Sequence, residues 1–336
     1  MVNDDLKIFV GIPLFNTLPY IEKCIDSILA QEYQEIRILV VDDGSTDGSF
    51  DFLVSHYSSN PRITILKNDV NRGIGYTRNR IIQMAKGDLF LWVDSDDYLL
   101  PGAIMRAVQA VKMFPQEQAV AVIQNILLVS EGQKNTKTTL YPKTKIQVLS
   151  SNEAVSMAMV DRQIRAFSWS AFFPVSAVKN IHFPDNSKMY IDDLLVAYQY
   201  YQNCSKVVKI PDPGYVYNMR PGTDSHTPDF YKRLGATLTE LEKTATKSYP
   251  DILPILLAKQ AIFEAIFLVG LYYPKEKWAI TKKRLRSASD KTRKTPLGFR
   301  AAISAGKKTV LQRFCLIYFP LFFAKFYLKK QKKRFR

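Results

Sequence analysis

The chain has 336 residues, 47% apolar and 23% charged, the composition of a globular protein with room for one large domain and an accessory piece. Its net charge of +16 is concentrated at one end: residues 275–336 carry 20 Lys and Arg against 2 Asp and Glu, while residues 1–274 carry 27 against 29, so the main body has no basic footprint for a polyanion and nucleic acid is not an expected partner. The N-terminal MVNDDLKIFV lacks the basic stretch and apolar run of a secretory signal, and a cytoplasmic location is expected.

Lys7–Pro13 (KIFVGIP) is a short apolar run with β-branched residues and reads as a strand, and Asn16, Thr17 and Pro19 behind it suit a helix start. Ile21, Cys24, Ile25, Ile28 and Leu29 then recur on one helical face that should pack on a sheet. Ile36–Asp42 is the next strand, Phe50, Leu53, Val54 and Tyr57 mark a second amphipathic helix, and Ile63–Leu66 is a third strand. NRGIG reads as a loop, a helix follows over Tyr76–Ala85, and the almost wholly apolar Leu89–Asp94 (LFLWVD) belongs at the centre of the sheet. Ala119–Ser130 is a further strand, and the polar Glu131–Lys145 a surface loop or ribbon. Helices and short strands are expected over Asn152–Tyr217, and helices alone from about Thr227, with Leu256–Tyr273 the clearest. This alternation predicts an α/β fold with a mostly parallel central sheet flanked by helices, followed by a helical, basic C-terminal extension.

In an open α/β sheet, ligands bind outside the carboxyl ends of the strands. Asp42-Asp43-Gly44-Ser45-Thr46-Asp47 closes the second strand and Asp94-Ser95-Asp96-Asp97 the central one, so both clusters should face one edge. Carboxylates gathered there repel one another, and a divalent ion, Mg²⁺ or Mn²⁺, shared with a diphosphate resolves the repulsion. The ligands must be oxygens, because His56, His182 and His226 have no ligand spacing. Cys24, Cys204 and Cys315 form no metal or disulfide pattern and read as reduced thiols. DDGSTDG taken alone also fits an ordinary turn with a helix cap; DSDD directly behind an apolar central strand is a poor place for mere solubility.

Several segments in order carry a resemblance: Pro13-Leu14-Phe15-Asn16, ILAQEY, VVDDGSTDGS, NRGIGYTRN, AKGDLFLWVDSDD, and IDD ahead of YVYNMR. Over about residues 7–225 the chain resembles a family 2 glycosyltransferase with the GT-A fold. The resemblance implies that Asp43, beside Asp42, binds the base edge of a nucleotide and that Pro13 and Asn16 line the nucleoside pocket. Asp94 and Asp96, with Ser95 between them, match the DxD pair that meets the ribose and the metal-bound diphosphate, and Asp97 shares the metal duty. Arg78 matches an arginine that faces the diphosphate. In the YVYNMRPGTDS segment, which closes over the phosphates in relatives, Arg220 is a candidate phosphate partner, with Tyr217 and Ser225 beside it. Of the acidic pair Asp192-Asp193, Asp193 is the implied general base and Asp192 its support, the Asp at 192 standing where Glu is commoner. The pair also fits a plain helix start, where acids complement the dipole. Trp169 matches an aromatic position near the acceptor, and a core role for it stays open.

The implied organisation is a catalytic domain over 1–226, nucleotide-sugar binding in about 1–130 and the acceptor side in about 131–226, followed by a membrane-associating region over 227–336. Phe314–Leu328 is fifteen residues of aromatic-rich apolar sequence, short of the ~20 that a spanning helix needs, and KKQKKRFR follows it. An interfacial segment on the cytoplasmic leaflet is expected, placing the protein peripherally on the inner face of the cell membrane; a tail helix packed on a partner subunit is the other reading. The implied activity is inverting transfer of a hexose or N-acetylhexosamine from a nucleotide-sugar, UDP-linked by preference, to a surface polysaccharide or lipid-linked glycan. The alternatives are an inactive lipid- or partner-binding protein of the same fold and a sugar nucleotidyltransferase, although GIPLFNTLP lacks the latter's Gly-rich phosphate loop. A dehydrogenase is excluded because no GxGxxG follows the first strand.

Overall fold

Strand β1 (Ile8–Leu14) is buried along its whole length, as expected for a strand covered on both faces. The computed structural model in which it lies describes residues 6–130, 138–140, 145–159, 167, 169–184, 192–219, 228–254 and 256–257, with isolated positions at 286, 289–290, 293 and 311–312. The chain forms two compact units, the first from Met1–Val155, Gln163–Ser187 and Asp192–Thr223, the second from Ser156–Arg162, Lys188–Ile191 and Asp224–Arg336.

In the first unit β1 is followed by α1 (Leu18–Leu29), β2 (Ile36–Asp42), α2 (Ser49–Tyr57), β3 (Ile63–Lys67), α3 (Ile74–Met84) and β4 (Leu89–Trp92). β2 and β4 flank β1 in parallel and β3 lies outside β2, so the order is β3-β2-β1-β4 and the direction of winding reverses at β1. A crevice at the carboxyl ends of β1, β2 and β4 is where such a sheet binds ligands. Ile21, Cys24, Ile25 and Ile28 form the buried stripe of α1. α3 crosses β1 at Gly11, where a Cβ would stand 2.5 Å from Ile81 Cγ2 and 3.0 Å from the rings of Phe90 and Trp92. Only glycine permits so close an approach.

The later strands are β5 (Tyr98–Leu99), β6 (Val120–Ser130), β7 (Thr138–Thr139), β8 (Gln147–Ser150), β9 (Ala171–Pro174) and β10 (Lys206–Met219); between them run α4 (Ala103–Lys112), α5 (Ser151–Met159), α6 (Val175–Val178) and α7 (Asp192–Gln202). The sheet continues past β4 as β9-β6-β10-β5, with β7 beside β6 and β8 beside β10. Its long ladders are parallel, including the one between β6 and β10, and the antiparallel pairings are short. In the second unit, α8 (Pro228–Ser248) has Leu238, Leu241 and Ala245 on its buried stripe.

Several sequence expectations need adjustment. Val54, assigned to the apolar stripe of α2, is 40% exposed, while Leu53 and Tyr57 carry the packing. The central strand ends at Trp92, so Asp94 sits in the loop and not on the strand. In place of only short strands before Tyr217 there is the fourteen-residue β10, which absorbs Pro211 and Pro213 through register shifts against β6. β7 pairs with β6, so the polar segment after β6 contributes a ribbon. Most of Leu256–Tyr273 and all of Phe314–Leu328 lie outside the described residues, as does Cys315; Cys24 and Cys204 are buried and unbridged.

Candidate active site

The loops that follow β1 and β2 are stitched together. Asn16 takes a left-handed backbone, φ 51°, donates its N–H to Ser45 Oγ at 2.9 Å and accepts the Thr46 N–H at 2.9 Å on its own side-chain oxygen. The first amide of α1, that of Leu18, is capped by Asp47 across the gap at 2.9 Å. Thr17, at the N-cap position, instead donates its hydroxyl to Ser95 at 2.9 Å and so ties this corner to the β4 loop. Pro13 is buried within β1, opposite Val41.

Asp42 is fully buried; it accepts the Ser45 N–H at 3.2 Å and lies 3.9 Å from Lys67 Nζ. Asp43 receives three donors, Asn68 Nδ2 at 2.7 Å and the main-chain N–H groups of Arg72 and Gly73 at 2.9 and 2.8 Å. The NRG loop is thereby drawn against the end of β2. Asn68 was not anticipated, although its place just behind β3 at the same sheet edge is a signal that could have found it.

The β4 loop divides its acids. Asp97 is 1% exposed and accepts the Tyr215 hydroxyl at 2.7 Å and the Asn218 N–H at 2.8 Å, one on each oxygen. Both oxygens of Asp97 are therefore engaged with β10. Burial, followed by the charges of Asp94 and Asp96, pushes its carboxyl well above the usual carboxylate range. Asp94 is raised to about 7, first by burial and also by Asp193 and Asp96, against the opposing charge of Arg78. Beneath the loop Cys24 donates its thiol toward the Asp94 carbonyl at 3.7 Å, and burial raises its pKa as well.

Arg78 joins the two sides of the crevice. It donates through Nη1 to Asp193 Oδ1 at 2.7 Å and through Nη2 to Asp94 Oδ1 at 3.4 Å. Asp193 is held there by α7, whose Tyr200 hydroxyl accepts the indole N–H of Trp92 at 3.0 Å and whose Tyr200 ring stacks on Phe173. Asp192 begins the same helix. Trp169 is buried and stacks with Phe167, Tyr215 and Tyr217 at centroid distances of 4.3, 4.9 and 5.1 Å, so it packs behind the Tyr215 that supports the acid loop. Arg220 and Ser225 lie outside the described residues.

Among the described residues, no three His, Cys, Asp or Glu side chains are grouped to hold a metal ion by themselves. The donor set still suits Mg²⁺ or Mn²⁺, which take one or two carboxylates and complete their shell with diphosphate oxygens and water. Asp96 and Asp94 fit such an ion, and Asp97 beside them has both oxygens in hydrogen bonds to β10.

The Glycosyl transferase family 2 model matches residues 9–169. Over 229 residues the chain is 30% identical to Glycosyltransferase GlyG of Streptococcus pneumoniae, an alignment spanning 66% of this chain and 73% of GlyG. It is 29% identical over 165 residues to the Chondroitin synthase of Pasteurella multocida, covering 48% of this chain but only 16% of the synthase. Among solved structures it superposes on S. aureus TarS 1-349 in complex with UDP-GlcNAc with a TM-score of 0.63 at 20% identity, over 93% of this chain and 90% of that one. The mannosyltransferase PcManGT of Pyrobaculum calidifontis, in complex with GDP-Man and Mn²⁺, gives 0.52 at 19% identity over 96% and 86%. These likenesses agree with a GT-A-type sheet.

Proposed function

Because the chain belongs to glycosyl transferase family 2, we propose that it is an inverting enzyme that moves a hexose or N-acetylhexosamine from a nucleotide-diphosphate sugar, preferentially UDP-linked, to a hydroxyl of a cell-surface polysaccharide or lipid-linked glycan. The observation that supports this most is the meeting of Asp94 and Asp193 on one guanidinium, because it brings a donor-side acid and a candidate base to the same crevice. Among the similar proteins, a chondroitin synthase and TarS in complex with UDP-GlcNAc support this substrate class, while PcManGT, at a lower TM-score, is complexed with GDP-Man.

In the proposed reaction the acceptor oxygen attacks the anomeric carbon while Asp193 takes the hydroxyl proton. The bond from that carbon to the diphosphate oxygen breaks on the opposite face, its electron pair leaves with the nucleoside diphosphate, and the anomeric configuration inverts. A divalent ion, when bound, neutralises charge on the leaving diphosphate. Asp96 and Asp94 would hold it. Asp43 and the stitched loops around Asn16 form the proposed nucleoside wall, and the Trp169 stack backs the acceptor side.

The proposed location is the cytoplasmic face of the membrane, reached through the basic, aromatic C-terminal segment. No helix among the described residues is long and apolar enough to cross a membrane. Oligomerisation is compatible with this reading. The deciding experiment is protection against thermal unfolding by a panel of nucleotide-sugars, each with and without Mn²⁺. Protection by a UDP-sugar with Mn²⁺, accompanied by its slow hydrolysis, is expected. A panel without any protection or turnover would favour a binding protein that has lost the chemistry.

A further inference from the structure

Arg78 is buried, more deeply than the two acids it binds. Its side chain is 6% exposed, whereas the Asp94 and Asp193 carboxylates that it binds are 26% and 20% exposed. The guanidinium is therefore the most buried member of this trio. The guanidinium carbon lies 5.9 Å from the Trp92 ring centroid and 5.2 Å from that of Phe183. Phe183 is itself fixed by the neighbouring Asn79, which accepts the Phe183 N–H and donates to the Phe183 carbonyl, each at 2.8 Å. α3 thus presents two adjacent residues with separate tasks: Asn79 secures the aromatic mount, and Arg78 reaches the acids. A planar fork between rings loses little freedom on binding two carboxylates, which a lysine could not imitate.

We propose that Arg78 is a positioning residue for Asp193, fixing that carboxylate against the Asp94 side of the crevice, and not a ligand of the donor's phosphates. The inference rests on the reading of Asp193 as base. Its physical content is that donor-side acid and base form one ion-paired unit, so the distance between the leaving group and the proton acceptor is set before any substrate arrives.

Four proteins test this: wild type, Arg78→Gln, Asp193→Asn and the double variant, with Arg78→Lys as a check on folding. Transfer is measured with the donor selected by the nucleotide-sugar panel, and UDP binding in the presence of Mn²⁺ by calorimetry. Arg78→Gln should lower kcat by about 100-fold, the loss associated with a misplaced group, while donor KM and UDP Kd change by less than about threefold. On the Asp193→Asn background, Arg78→Gln should cause little further loss. Arg78→Lys should restore folding stability but little of kcat. A UDP Kd weakened about tenfold or more in both backgrounds would overturn the proposal, because a phosphate ligand behaves that way. Thermal unfolding of the four proteins examines the pair without substrate, and Tm shifts that simply add in the double variant would overturn the pairing. Non-additive Tm shifts across the four proteins, together with a wild type that binds no UDP, would place the failure in the reading of the site as a sugar-transfer centre.

Discussion

Tyr215 donates its phenolic hydrogen to Asp97 at 2.7 Å, and the same oxygen accepts the main-chain N–H of Asp94 at 3.1 Å. One hydroxyl on β10 therefore holds both ends of the acid loop. Tyr215→Phe would leave a buried carboxyl and a buried amide each short of a partner, at a cost of about 1–3 kcal/mol per group. A lowered Tm and weaker Mn²⁺-dependent UDP binding are expected together, with the Trp169 stack retained. Unchanged UDP binding would separate the loop's geometry from ligand recognition.

Asp96→Asn and Asp193→Asn should fail differently. The first is expected to abolish the Mn²⁺-dependent component of UDP binding. The second should leave UDP binding within about threefold of wild type while lowering transfer by about 10²–10⁴, the range for a lost general base. Calorimetry beside a transfer assay separates them, and wild-type turnover in either variant would remove that residue from the mechanism.

The raised Asp94 carboxyl makes metal-free stability depend on pH. Its folded pKa of about 7 lies above the ordinary 3.8, mainly through burial, so the folded protein holds this proton more tightly than the unfolded chain. That contribution is complete below about 4 and disappears as pH rises through about 7. In EDTA the Tm should fall between pH 5 and pH 8, and Asp94→Asn should flatten the fall. An equally steep profile in the variant would assign the dependence to another group.

How much of this could be read beforehand depends on the range of the interactions. The first three strand-helix units and β4 were legible because their strands are largely apolar runs and their helices carry apolar stripes; Ile36–Asp42 has the same bounds in sequence and structure, whereas α4 was not read from the sequence. β10 was hidden because Pro211, Pro213 and Gly214 interrupt its apolar run, and only the register shifts against β6 reveal how a strand accommodates them. β9 is four residues long and gives no periodicity. The acids at the strand ends were visible as residues, but the hydrogen bonds that tie Asp97 to β10 were not, because Tyr215 and Asn218 lie more than a hundred residues away. The same holds for Arg78 and Asp193: chain separation erases any local signal of an ion pair.

Gly11→Ala should destabilise the protein without touching the acids. The new methyl would fall on Ile81 and press on Phe90 and Trp92, and overpacking of this kind costs about 1–3 kcal/mol. Denaturant unfolding should show a lower midpoint at an unchanged slope. A neutral result would mean that α3 can slide on β1, and the position of Arg78 would then deserve direct measurement.

Deleting residues 310–336 should release the protein from vesicles containing anionic lipid while UDP binding persists. Co-sedimentation at low and at high salt reads both parts of the attraction. Retention on the vesicles after deletion would refute an anchoring role for this segment.

The bonds from Asp97 to Tyr215 and Asn218 bridge 118 and 121 positions of sequence. During synthesis, the acid loop leaves the ribosome long before the strand that completes it. Until β9 is made the edge of β4 lacks its neighbour, and until β10 is made the Asp97 carboxyl lacks Tyr215 and Asn218. The earliest moment at which the acid loop can take its final form is therefore set by the translation of Asn218.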